Sequence, residues 1–158
     1  MDASKVRTFA ELVGLAAVVI SLGLLTWEVS QSNSLAKANV YADVGRDYNE
    51  YNLLMASSGE VAELFVRLTD EEVELTAVEV QRTIGIGYWN RNAWNSTERA
   101  YLEGWIPQDK YQSTLNDITF TISRWPEMKP YLRMLVEALG KDTDLTMVER
   151  KILELTQP

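Results

Sequence analysis

The chain contains neither cysteine nor histidine. Without cysteine it can form no disulfide and offers no thiolate as nucleophile or metal ligand, and its redox compartment leaves no mark on the sequence. Without histidine it lacks the commonest general base and metal ligand. That excludes His-ligated haem and the Glu-x-x-His pairs of di-iron helical bundles. Only 4 prolines punctuate the 158 residues, and no apolar–polar alternation runs long enough to make a strand. Basic charge is scarce as well: residues 30–158 hold 20 acidic against 13 basic side chains, with no basic stripe. This balance argues against a nucleic-acid partner and against a polybasic grip on anionic lipid.

One long apolar run is present. Residues 12–27 (LVGLAAVVISLGLLTW) carry no charge and lie between Glu11 and Glu28. As a helix the run covers about 24 Å at ~1.5 Å per residue, against roughly 30 Å of bilayer hydrocarbon. Phe9, Ala10 and Val29 extend it, and Trp27 falls where an interfacial aromatic anchor belongs. The expectation is an N-terminal membrane anchor over residues 1–29, followed by a helical domain over 30–158. A cleavable signal peptide is the first alternative, because Lys5 and Arg7 precede the apolar core. Its only A-x-A site, Ala36-Lys37-Ala38, lies too far downstream. A buried helix of a soluble domain is the second, but a helix apolar on every side needs a core surrounding it.

Beyond Trp27 the pattern predicts an all-α fold, a membrane helix continuing into a small bundle. Ser30 to Ala56 has no proline, and Gly45 is tolerable inside a helix at about 1 kcal/mol. Tyr41, Val44, Tyr48, Tyr51 and Met55 form one stripe, so the first helix is expected to run to Ser57, with Gly59 as a left-handed stop. A short helix over Val61–Leu68 follows. Thr76 with Glu79, or Thr69 with Glu72, then caps a helix that ends at Gly104. Its apolar positions are Val80, Ile84, Tyr88 and Trp94. Pro107 begins the next helix, which packs Tyr111, Leu115, Ile118 and Ile122. After the Trp125-Pro126 break comes a helix with Met128, Tyr131, Leu132, Leu135 and Leu139, closed by Gly140. Thr146 and Glu149 cap a terminal helix with Val148, Ile152 and Leu155.

Two features could carry function. Ala10, Gly14, Ala17 and Ser21 share one helix face, continued by Leu24, Glu28, Gln31, Leu35, Ala38, Ala42 and Gly45. Small residues let a second helix approach closely in lipid, so Ala10, Gly14, Ala17, Ser21, Ala38 and Ala42 form a candidate helix–helix interface. The second feature is Tyr88-Trp-Asn-Arg-Asn-Ala-Trp-Asn95. Helical geometry puts Arg91 with Asn95, Tyr88 with Asn92, and Asn90 with Trp94. Trp89, Arg91, Asn92, Trp94 and Asn95 could cradle a sugar, headgroup or carboxylate ligand, or could serve packing alone. Gly85-Ile-Gly87 lacks the strand–turn–helix setting of a phosphate loop and suits close helix packing. Asn95-Ser-Thr97 matches a glycosylation sequon. For catalysis only carboxylates such as Glu98 or Glu103, with Lys, Tyr, Ser and Thr, remain, and their spacing marks no site. Residues 70–74 (DEEVE) lack the glycine and the Asp/Asn periodicity of a calcium loop, and suit a helix N-terminus.

The segments Glu11-Leu-Val-Gly14, Ala17-Val-Val19, Ser21-Leu22 and Trp27-Glu-Val-Ser-Gln31 through Asn33 resemble a widespread family of uncharacterised small bacterial proteins. In that family one N-terminal transmembrane helix precedes a helical domain. The layout after Leu75-Thr76 is similar, and the likeness covers most of the chain. It implies a bacterial inner-membrane location and supplies no catalytic residues. Family members are basic just after the membrane helix, whereas this chain has only Lys37 close by. Charge asymmetry places the N-terminus in the cytoplasm, and the resemblance places it on the other side. The expected role is assembly or interaction: a self-associating scaffold or an accessory subunit of a membrane complex, without catalysis or cofactor. Its partners are the lipid bilayer and a membrane protein or a second copy. A membrane-tethered small-ligand or glycan-binding module is the alternative, and a carboxylate-dependent cell-wall enzyme stands third.

Overall fold

A computed structural model describes residues 3–70, 73–139 and 145–157. Six α-helices and one 3-10 turn make up these residues, and no strand occurs among them. The helices are α1 (Ala3–Ser57), α2 (Gly59–Arg67), α3 (Ala77–Leu102), α4 (Gln108–Arg124), α5 (Lys129–Leu139) and α6 (Met147–Leu155). The chain divides into two compact units, Met1–Asn39 and Val40–Pro158.

The first unit is helical throughout its described residues. Its apolar window is long and apolar enough to cross a membrane, and none of that window is buried. Large side chains along it lie open, among them Leu12, Leu15, Ile20 and Leu24. The hydroxyls of Ser21 and Thr26 donate to the carbonyls of Ala17 and Leu22, each at 2.8 Å, so both hydroxyls of the run are paired within the helix.

In the second unit, local chemistry sets each helix start. Ser58 caps α2, its hydroxyl accepting from the Val61 amide. Gly59 is therefore the first residue of α2 and not a left-handed stop, which corrects the expectation for the end of α1. Thr76 and Glu79 form the capping box of α3, and Thr146 and Glu149 that of α6. The alternative start at Thr69 is not used: its hydroxyl donates to the Val66 carbonyl at the end of α2. Glu71, Glu72 and Gly140 lie outside the described residues. Gly104 (φ +72°) takes the left-handed turn after α3. Pro107 stands as the N-cap of α4, one position ahead of its first turn. The Trp125-Pro126 break passes through the 3-10 turn Pro126–Met128 into α5.

The core joins Leu64, Phe65 and Leu68 of α2 with Trp94, Ile118, Ile122, Met128, Leu132, Val136, Val148 and Ile152. Helix α3 crosses the middle of the bundle, packing on α4, α5 and α6. Its buried positions are Thr83, Gly87, Asn90, Ala93, Trp94, Thr97, Glu98 and Ala100. Most of these are small or polar, whereas the expected Tyr88 is 40 % exposed. Gly87 lets α5 approach closely: a Cβ there would stand 3.1 Å from Leu135 Cδ1. Tyr51, on α1, stacks on Trp89 (4.6 Å between ring centroids) and meets Phe65 edge-on at 5.9 Å.

Candidate functional site

The polar segment of α3 divides by face. Arg91 pairs with Glu149 of α6, their side chains only 13 % and 6 % exposed. Asn95 Oδ1 accepts from the Thr146 hydroxyl at 2.8 Å. One turn on, Glu98 is 4 % exposed and its two oxygens accept from the amides of Met147 (2.9 Å) and Val148 (2.8 Å). The Thr146 hydroxyl takes the Glu149 amide, and Glu149 takes the Thr146 amide, both at 3.1 Å. All four amides that a helix N-terminus leaves without intrahelical partners are thereby satisfied. Arg91, Asn95 and Glu98 thus form a dock for α6. With both its oxygens engaged, Glu98 has little left for a general acid. Glu103 is exposed at the C-cap of α3.

The remaining members of the cluster separate. Asn92 is exposed. Trp89 borders a shallow surface hollow with Tyr51 and Gly85. Asn90 lies beside Tyr51, yet neither the buried Tyr51 hydroxyl nor Asn90 Nδ2 has a hydrogen-bond partner of good geometry. Burial pushes the Tyr51 phenol up to about 12, partly offset by Asn90 and reinforced by the charge of Asp117. Trp94, 1 % exposed, reaches through the core, and its indole N–H donates to Asp117 Oδ2 at 2.8 Å.

That bond leads to a cavity no sequence motif marked. It measures about 480 Å³, and α4 contributes Lys110, Thr114 and Asp117 while α1 contributes Tyr41, Gly45 and Tyr48. Burial raises the Asp117 carboxyl above the usual range, against hydrogen bonds from Trp94 and Tyr48 that hold it down. Lys110 Nζ sits 5.4 Å from the centre of the Tyr41 ring, within cation–π range. The spacing of Lys110, Thr114 and Asp117, at i, i+4 and i+7, was available in the sequence. Nothing there told a cavity wall from a solvated face.

The candidate interface of the first helix stands open. Ala10, Gly14, Ala17, Ser21, Ala38 and Ala42 are all exposed. A Cβ on Gly14 would meet nothing within 4 Å, so no intramolecular contact requires glycine there. Among the described residues no group of His, Cys, Asp or Glu side chains could hold a metal ion. Comparison of the chain with family models, with characterised proteins and with solved structures finds no match.

Proposed function

We infer that the protein is a membrane-anchored interaction protein whose first helix both spans the bilayer and receives a partner helix. The observation that carries this reading is the uncharged run over residues 12–27, none of it covered by the protein's own chain. Water would meet ten large apolar side chains there, a cost of about 25 cal/mol per Å² that lipid removes. The internal hydrogen bonds of Ser21 and Thr26 suit that medium, where an unpaired hydroxyl has no water to turn to. Gly14, Ala17 and Ser21 leave a low surface on one side of the span, shaped for close approach of a second helix. The partner is a second copy or a different membrane protein, and the chain acts as a scaffold or accessory subunit in a bacterial inner membrane.

Support also comes from the α3 segment. Arg91 and Asn95, the residues best suited to hold a polar ligand, are consumed in docking α6. Carbonate extraction tests the anchor. The full chain stays with the membrane pellet, and a chain lacking residues 1–27 is released. Release of the full chain would refute it. Detergent-resolved mass then separates a homo-oligomer from a complex with other subunits.

A further inference from the structure

The cavity between α4 and the C-terminal part of α1 carries two opposite charges that do not meet each other. Lys110 and Asp117 both line it. Two helical turns apart, their backbone positions are separated by about 10 Å along α4. Among the described residues neither has an ion-pair partner. Asp117 is held by two neutral donors, Trp94 and Tyr48, which orient a carboxylate without neutralising it. Lys110 rests against Tyr41. Ser113, Thr114 and Asn49 also line the cavity.

Gly45 of α1 lies on the rim of this cavity. Glycine in the interior of a helix weakens it. No neighbour demands one here, since a Cβ at Gly45 would meet nothing within 4 Å. A longer side chain at this position would add bulk at the cavity rim.

We propose that this cavity binds a small zwitterion of di- or tripeptide length, its ammonium on Asp117 and its carboxylate on Lys110. An extended peptide advances about 3.3–3.6 Å per residue, so two or three residues match the rise of α4 from Lys110 to Asp117. The volume, about 480 Å³, falls within the usual range for small-ligand sites, roughly 300–1,000 Å³. A peptide's own amides would meet the Thr114, Ser113 and Asn49 side chains, and each terminal charge would find one opposite charge. This site is separate from the anchor and from the α6 dock, and it does not depend on the membrane reading.

The Trp94 indole N–H is a local reporter, because it donates directly to Asp117. In the full-length protein in detergent micelles, that resonance is assigned through Trp→Phe variants at the other four tryptophans and followed during titration with triglycine. The expected result is a saturable shift. N-acetyl-triglycine, which lacks the ammonium, and triglycinamide, which lacks the carboxylate, bind at least tenfold more weakly. Lys110→Met and Gly45→Leu weaken triglycine binding by a similar factor. Gly45→Leu also favours helix, so its loss of binding cannot be put down to unfolding. Absence of a saturable shift at 20 mM triglycine would overturn the proposal. So would equal binding of the end-blocked peptides, or undiminished binding by Gly45→Leu.

Discussion

Replacing Glu98 with alanine should destabilise the helical domain far more than the loss of an ordinary surface carboxylate. The side chain is buried, and both oxygens accept amide protons from the first turn of α6. Hydrogen bonds to a charged group contribute about 1.5–3 kcal/mol each. The two amides do not fare alike after the change. Met147 is 59 % exposed, so water can reach its N–H, whereas Val148 is fully buried and its N–H would stay unpaired. The negative charge that complements the α6 dipole is lost too, worth about 0.3–1 kcal/mol. The expected loss is about 3–4 kcal/mol, a large part of the roughly 5–15 kcal/mol that holds a domain together. Glu98→Gln keeps one acceptor but turns an NH2 toward the second amide, and should lose about half as much. Glu103→Ala, at an exposed C-cap, should change stability by less than about 0.5 kcal/mol. Urea unfolding of the full chain in mild detergent, followed by tryptophan fluorescence, measures all three. Hydrogen exchange at Val148 locates the effect. If Glu98→Ala cost no more than Glu103→Ala, α6 would not depend on this dock and the structural assignment of Arg91, Asn95 and Glu98 would fall.

Three further outcomes follow from particular contacts. Tyr51→Phe removes a buried hydroxyl without a well-formed hydrogen bond, so stability near neutral pH should hold or rise slightly. The folded state keeps that phenol protonated to about 12, while the unfolded chain ionises near 10. Wild-type stability should therefore fall as pH rises from 10 to 12, by about 2–3 kcal/mol, and the phenylalanine variant should lose that part of the slope. Equal alkaline slopes in denaturant melts would contradict the burial argument. Gly87→Leu should cost about 1–3 kcal/mol by crowding Leu132 and Leu135, whereas Gly85→Ala, with open space around it, should stabilise α3 by up to about 1 kcal/mol; thermal melts that rank them the other way refute the packing described for α5. In the first helix, Gly14→Leu should weaken self-association or partner capture by about 1 kcal/mol or more, and Val19→Leu, on the opposite face, much less. Equal crosslinking yields for the two would make the small-residue face a feature of composition alone.

Helix existence and capping were legible in the sequence because their causes are local. Thr76 with Glu79, Thr146 with Glu149, and the turn at Gly104 each depend on residues within a few positions of one another. The Ser58 cap was missed because Gly59 offered a competing stop signal, although the serine before it is a better start than the glycine is an end. The buried face of α3 was hard to read for a different reason. Gly87 is buried by α5, Asn90 lies beside Tyr51 of α1, and Thr97 lines the cavity with α1 and α4. Hydropathy cannot register a face chosen for smallness and hydrogen bonding. The pairings that assign roles to the polar residues are more remote still. Trp94 meets Asp117 across 23 positions, Arg91 meets Glu149 across 58, and Glu98 meets the α6 amides across about 50. Only helix packing brings them together, so the dock and the cavity both emerge from the fold.

If residues 12–27 cross a bilayer, their two flanks face opposite compartments. The absence of cysteine makes the test clean, since any single introduced thiol is the only one to react. Thr8→Cys, Ile20→Cys and Ser34→Cys variants of the full chain, in sealed membrane vesicles of defined orientation, are exposed to a membrane-impermeant maleimide. A spanning helix predicts that Thr8→Cys and Ser34→Cys label from opposite sides. Ile20→Cys stays unreactive until detergent and denaturant are added. Labelling of Ile20→Cys at the rate of Ser34→Cys in intact vesicles, or labelling of the two flanking positions from the same side, would contradict it.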